Sequence, residues 1–388
     1  MKVLLVHNFY RSQHIGGEDV VFRQELATLR QVLGDSAVST YTVSNDTLSK
    51  TKLLHQIWGN QAHADAILKK AIEQQVDVVH AHNVFPLITP RFFKQLRDAQ
   101  IPSILTLHNY RPWCLSGVLY RTGKGHCVSC FEKGNFLPSM KNRCYRGSAP
   151  LSILGGAALQ WYQWQQDWQA VDKFFVLSQH QRQQLQTFGV DQNKLWLKPN
   201  FVETLNAPWV EPTQKSGYLY VGRLEPDKGI DWLLQQWQSL PEQYRLTVIG
   251  CSPHETNYAA RYAKRNIIFK GQTDRATTLA EMAKAKYLIH PSFMPETFGL
   301  TVIEAQSLGT PVIALKCGPR EQMIVHQITG WHYEPESFRS VLRTANDFEG
   351  YTQMTYNAKQ SALSYQPDVI IKQQINYYEQ LCREKSNA

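Results

Sequence analysis

No stretch of this 388-residue sequence supplies the roughly 18 consecutive apolar residues that a membrane-spanning helix requires. The segment 147–166 is uncharged, but Gln160, Gln163, Gln165 and Gln166 interrupt it. The amino terminus has only Val3-Leu4-Leu5-Val6 before polar His7 and Asn8, too little for a secretory core, so it reads as a first buried strand. The expected location is therefore a reducing cytoplasm. There the seven cysteines are not expected to form disulfides, and the sequon Asn45-Asp46-Thr47 is incidental. Internal repeats and low-complexity tracts are missing too. At 43% hydrophobic and 11% aromatic, a disordered or fibrous chain is excluded.

The sequence does offer an alternation of short β-branched runs with amphipathic stretches. Strands are expected at Lys2–His7, Val76–His80, Ser103–His108 and Phe174–Leu177, then at Tyr218–Val221, Leu246–Ile249, Ile267–Phe269, Tyr287–His290 and Pro311–Ala314. Helical spacing fills segments such as Asp19–Leu33 and Ala62–Gln74. That rhythm implies α/β units with parallel sheets covered on both faces. It lapses between Pro199 and Pro212, read as a linker between two Rossmann-like domains, 1–200 and 201–366. Ligands of such domains bind beyond the carboxyl ends of the strands, here expected in a cleft. The charge sum, 41 − 32 = +9, admits nucleic acid, anionic lipid or phosphorylated small molecules as partners.

The strongest motif runs from Pro291 to Ala305, where a strand, a turn at Pro295 and Gly299 precede an apolar helical run. Backbone N–H groups of Phe298, Gly299 and Leu300 at that helix start would hold a phosphate or diphosphate. Glu304 lies about 7–8 Å further along the axis, the order of the distance from a diphosphate to the ribose hydroxyls of a nucleotide. Glu296 would face whatever the distal phosphate carries. The competing account, acids that favour the helix dipole, fits Glu304 poorly because it lies past the first turn. A second constellation, Gly222-Arg223-Leu224-Glu225-Pro226-Asp227-Lys228-Gly229, puts two cations around a turn. Arg223 and Lys228 could neutralise a diphosphate, or simply pair with Glu225 and Asp227 on a solvated loop. Gly16-Gly17 opens the first helix, a weak signal that its place at the first strand-to-helix junction strengthens.

These residues, with Val78-Val79-His80-Ala81-His82-Asn83 and Leu107-His108-Asn109-Tyr110-Arg111, make the chain resemble glycosyltransferase family 4. These are retaining nucleotide-sugar transferases of GT-B fold. The resemblance implies that Glu304 binds the ribose, Glu296 the hexosyl hydroxyls, and Arg223 with Lys228 the diphosphate. It implies that His108 lies near the donor sugar and that Gly16 and Gly17 contact donor or acceptor. The expected activity is hexosyl transfer from a nucleotide diphosphate, UDP being favoured, to a saccharide or lipid-linked acceptor. Cations and a helix start can stabilise the leaving diphosphate without a catalytic metal. The Asp-x-Asp triplet expected of metal-dependent sugar transferases does not occur. The family implies front-face attack, with no enzymic nucleophile. His80 and His82 serve equally well as structural hydrogen-bonders. The segment 367–388 is expected to be helical and, by the resemblance, to return to the first domain.

An insertion at 111–146 carries Cys114, Cys127, Cys130 and Cys144, whose spacing suggests a structural Zn²⁺ on four thiolates. The alternative is four reduced cysteines without a metal. The same stretch has seven Lys/Arg against Glu132, 7 − 1 = +6. Trp161, Trp164 and Trp168 follow at helical spacing, preferred here as first-domain core. A basic lobe beside an aromatic face could instead dock on an anionic membrane, as a peripheral protein of its inner face. Rival readings are a phosphorylase or epimerase of the same fold, a zinc-containing nucleic-acid-binding protein, or a non-catalytic scaffold. The local charge excess and the glutamate pair argue against nucleic acid as partner.

Overall fold

The computed structural model describes residues 1–11, 16–47, 56–203, 209–252 and 257–387. The middle of the expected linker, 204–208 with Pro208, lies outside them. The chain divides into two compact units. The first comprises Met1–Leu119, Val128–Phe201 and Pro367–Ala388; the second comprises Tyr120–Cys127 and Val202–Gln366. Among the described residues no helix is long and apolar enough to cross a membrane.

In the first unit β1 (Val3–Phe9), β2 (Val38–Ser44), β3 (Val78–Asn83) and β4 (Ser103–Thr106) form one sheet with β7 (Lys173–Val176) and β8 (Leu195–Leu197). Their order is β2-β1-β3-β4-β7-β8, and every pair is parallel. The central strands are apolar runs because both faces are covered. All six residues of β3 are buried, as are the first six of β1. One face packs Leu4, Val6, Val79 and Leu105 against Ile67, Phe92 and Phe93. The other packs Val3, Leu5 and Phe22 against Ile370, Ile371, Tyr378 and Leu381 of the helix Pro367–Ser386.

In the second unit β9 (Tyr218–Val221), β10 (Leu246–Ile249), β11 (Ile267–Gly271), β12 (Tyr287–His290), β13 (Val312–Leu315) and β14 (Gly330–Tyr333) are likewise parallel. Their order is β11-β10-β9-β12-β13-β14. Each sheet thus changes winding direction once, between β1 and β3 and between β9 and β12. The loops beyond the carboxyl ends of those strands cannot be closed over by a crossover helix, which leaves them available to a ligand.

The stretch 111–146 is not a single lobe, contrary to the sequence expectation. Its two-stranded hairpin, β5 (Tyr120–Arg121) with β6 (Gly125–His126), groups with the second unit, and the rest groups with the first. The tryptophan expectation is also corrected. The helix Ala149–Trp164 stops because Gln166 takes a left-handed φ of 56°, so Trp168 sits in a separate turn and is buried. Trp161 and Trp164 are 40% and 71% exposed.

Candidate functional site

In the second unit, the loop after β9 and the loop after β12 are stitched together. Phe293 N–H donates to the Asp227 carbonyl at 3.1 Å, and the Ser292 hydroxyl to the same oxygen at 3.4 Å. Gly229 closes the crossing, with φ at 74° and a position where any Cβ would stand 2.1 Å from the Pro291 carbonyl oxygen. Only glycine combines that conformation with that approach. The stitching sets Lys228 Nζ 2.7 Å from Glu296 Oε1, both side chains being mostly buried. His290, the last residue of β12, brings Nε2 to 3.6 Å from Glu296 Oε2. Burial works to raise the Glu296 pKa, but Lys228, His290 and Arg320 overcome it and hold the carboxyl well below its usual range. Burial draws His290 down to about 3, against the pull of Glu296, so this imidazole is neutral.

Arg320 is fully buried and donates from Nη2 to the Ser292 carbonyl at 2.7 Å, bracing the same loop from below. Its Nη1 has no hydrogen-bond partner among the described residues. The helix Leu300–Ser307 then begins at Gly299, with φ at 130° and no side chain capping it. Its first N–H groups therefore keep their partial positive charge at the carboxyl end of β12. Phe298 beside it is buried and Leu300 partly so. Glu304, on the second turn of that helix, is 5% exposed and accepts from Arg275 Nη1 at 2.7 Å. Burial raises its pKa and Arg275 opposes the rise. Since Arg275 is itself 39% exposed, the carboxylate lies at an edge that solvent reaches rather than in a dry interior. Arg223 pairs with Glu225 at 2.7 Å on a largely exposed side chain.

In the first unit, Gly16 caps the helix Gly17–Leu33, and a Cβ there would collide with the Tyr10 ring at 2.8 Å. Gly17 faces open space. Glu18 of that helix accepts from Asn109 Nδ2 at 2.7 Å and from the Tyr10 hydroxyl at 3.1 Å. His108 follows β4, and its Nε2 lies 3.0 Å from His82 Nδ1 at the end of β3. Behind them Glu25 is fully buried and meets Lys198, His80, His82 and Gln374.

Among the described residues, Glu25, His80 and His82 form the one group of potential metal donors whose atoms all lie within 4.8 Å of one another. Its lone pairs are taken up internally, His80 by the Tyr378 hydroxyl at 2.6 Å and Thr106 Oγ1 at 2.7 Å, Glu25 by Lys198 and Gln374. The four cysteines are not such a group. A tetrahedral Zn–S₄ centre needs sulfurs about 3.8 Å apart, and among the described residues no three of theirs come within 4.8 Å. Cys127 groups with the second unit while Cys114, Cys130 and Cys144 group with the first. Burial, reinforced by Cys114, pushes the Cys130 thiol up to about 11, so it is protonated at neutral pH. The expected zinc therefore rests on the spacing of the four cysteines alone.

Sequence reasoning missed Arg275, His290 and Arg320, and it missed the partnership of Glu25 with His82. His290 and Arg320 do follow the ends of β12 and β13, the position from which His108 and Arg223 were picked out.

Residues 201–361 match the family model described as Glycosyl transferases group 1, and residues 39–204 match Glycosyltransferase Family 4. The chain is similar to phosphatidyl-myo-inositol mannosyltransferase of Mycobacterium leprae, 26% identical over 236 residues that make up 59% of each protein. Its matches span 40%, 44% and 59% of the length of three curated relatives. Among solved structures it resembles sucrose-phosphate synthase from Thermosynechococcus elongatus, at TM-score 0.71 and 18% identity, covering 98% of this chain and 99% of that one. It also resembles Anabaena HepE in complex with UDP, at TM-score 0.66 and 16% identity, covering 98% and 100%. At such identities these likenesses speak for the fold.

Proposed function

Because the chain belongs to glycosyltransferase family 4 and has its GT-B architecture of two Rossmann-like units, we propose that it moves a hexose from a UDP-sugar to a saccharide or lipid-linked acceptor with retention. The observation that carries this reading is the Lys228–Glu296 pair beside an uncapped helix start, with Glu304 one turn further on. Glu296, then Lys228 with the backbone donors, then Glu304 would meet in turn the sugar, diphosphate and ribose of a nucleotide sugar. On donor binding Lys228 would exchange Glu296 for a diphosphate oxygen, and Glu296 would accept from hexosyl hydroxyls. Glu304 would accept from the ribose, and Arg223 would leave Glu225 to add a second positive charge. Charge building on the leaving diphosphate meets fixed donors that need not reorganise. These donors serve in place of a catalytic metal, in keeping with the lack of any Asp-x-Asp triplet.

The acceptor hydroxyl attacks the anomeric carbon on the face from which diphosphate leaves. The anomeric C–O bond breaks, the new one forms, and the hydroxyl proton passes to the departing phosphate oxygen. No side chain acts as nucleophile. Uridine is favoured by the fold neighbour solved with UDP, and a lipid-linked acceptor by the mannosyltransferase relative. In the first unit, as the family resemblance implies, Gly16 and Gly17 would contact donor or acceptor and His108 the donor sugar. For Cys114, Cys127, Cys130 and Cys144, elemental analysis decides between one structural zinc per chain and four reduced thiols.

The first unit also has a face suited to an anionic bilayer. Ile153, Trp161 and Trp164 fall along one side of the helix Ala149–Trp164 and are exposed. Against that helix packs Leu137–Lys141, with Leu137 and Lys141 exposed and Lys133, Arg143 and Arg146 nearby in sequence. Aromatic and aliphatic groups beside exposed cations are what an acidic lipid surface attracts.

Calorimetric titration with UDP and with ADP, GDP and CDP tests the donor site. Binding should be tightest for UDP, and Glu304→Ala and Lys228→Ala should weaken it about 10- to 100-fold, the weight of a charge-assisted contact. Glu296→Gln should keep UDP binding and lose turnover. Failure of every nucleotide to bind would overturn the reading.

A further inference from the structure

We infer that Glu25, acting through His82, fixes the protonation of His108 as a neutral imidazole with its proton on Nε2 and its lone pair on Nδ1. The inference rests on the proposed transferase reading for its catalytic meaning. The observations behind it stand apart from that reading.

The helix Gly17–Leu33, β3 and the end of β4 contribute one residue each to a line that runs outward. Glu25 has no exposed side-chain surface, His82 is 3% exposed, and His108 is partly exposed. His82 turns Nε2 to within 3.2 Å of Glu25 Oε1 and Nδ1 to within 3.0 Å of His108 Nε2. The first contact is an ion-pair approach rather than a straight hydrogen bond, and charge decides its polarity. A neutral imidazole facing a carboxylate puts N–H, not a lone pair, toward it. With the His82 proton on Nε2, Nδ1 can only accept, so His108 must donate from Nε2. Protonating either ring a second time is opposed first by burial, which lowers both pKa values.

Glu25 remains anionic because Lys198 binds its other oxygen and Gln374 donates to Oε1 at 2.6 Å. These two anchors come from either side of the second unit in the sequence, Lys198 shortly before Val202 and Gln374 shortly after Gln366. A purely structural cluster would close on itself, as His80 does between Tyr378 and Thr106. This one continues to a histidine at the carboxyl end of the sheet. Glu25 and His82 are therefore positioning residues, and His108 so arranged cannot serve as a general acid.

The test is nitrogen-15 NMR of the full chain labelled at histidine, between pH 6 and 8, with His108 signals assigned by their loss in His108→Asn. The expected result is a neutral His108 carrying its proton on Nε2. His82→Phe should abolish the preference. His82→Gln should restore it, since its amide can donate to Glu25 while its carbonyl accepts from His108. In turnover of UDP-glucose, His82→Phe should lower kcat about 10- to 100-fold, the cost of leaving a buried hydrogen-bonding group without its partner, with the donor KM nearly unchanged, and His82→Gln should recover most of it. A wild-type His108 protonated on Nδ1, or an Nε2 preference that survives His82→Phe, would overturn the inference. The wild-type spectrum decides even if a variant fails to fold. If UDP does not bind the wild-type protein, the transferase reading fails while the spectrum still decides the tautomer.

Discussion

Four imidazoles, those of His80, His82, His290 and the partly exposed His108, are held neutral chiefly by burial, His290 down to about 3. In the unfolded chain each binds a proton near the ordinary value of 6.5. Below that pH the unfolded state therefore holds more protons than the folded one, and stability falls as pH falls. The slope approaches about 1.4 kcal/mol per pH unit for each histidine. The carboxylates Glu25 and Glu296, both held low, add their own loss only below about pH 4.5. The melting temperature should therefore fall from about pH 6.5 downward. A melting temperature unchanged between pH 8 and 5 would contradict this. Glu296 and Glu304 could be picked out in the sequence because a strand, a glycine and a helix place them within one motif. Arg275, His290 and Arg320 could not, because each reaches its carboxylate or loop from another element. In the sequence Arg275 is indistinguishable from a charge on a solvated surface, while His290 and Arg320 offered only their places at and after a strand end.

At the level of elements, most strands legible in the sequence are covered on both faces, Tyr218–Val221, Leu246–Ile249 and Tyr287–His290 among them, while the edge strand β11 was legible from its Ile-Ile-Phe run. In the two large sheets, those that escaped notice, β2, β8 and β14, are all edges. β2 reads Val-Ser-Thr-Tyr-Thr-Val-Ser, only partly buried, so no apolar run announces it. The helix Ala149–Trp164 failed differently. Spacing places tryptophans on one face, but it does not reveal that the helix ends before Trp168 or which face meets the core. Replacing Trp168 by Ala should cost about 3–5 kcal/mol. The exchanges Trp161→Ser and Trp164→Ser should each change stability by less than about 0.5 kcal/mol. If these two serve an anionic bilayer, the double variant should float poorly with phosphatidylglycerol vesicles that carry the wild-type protein. Equal flotation would remove the membrane reading.

Across the whole molecule, two parallel sheets with a lapse of rhythm between them were legible, because alternation of strand and helix survives any loop variation. The division of 111–146 between two units was not, since a two-residue-per-strand hairpin carries no periodic signal. The first unit draws on residues distant in sequence. Ile370, Ile371, Tyr378 and Leu381 each bury a side chain worth about 1.5–3 kcal/mol against Val3, Leu5 and Phe22. Together they rival the entire stability of an ordinary domain. Deleting 367–388 should therefore abolish hydrogen-exchange protection in β1, β3 and β4 while β9, β12 and β13 keep theirs; equal protection in both units would refute it. The same helix sets a timetable for biosynthesis. A ribosome releases the first two hundred residues long before the segment that completes their core, and the intervening unit is finished earlier. The leading half must then wait, incompletely packed and dependent on chaperones, so that the part made first is the last to mature.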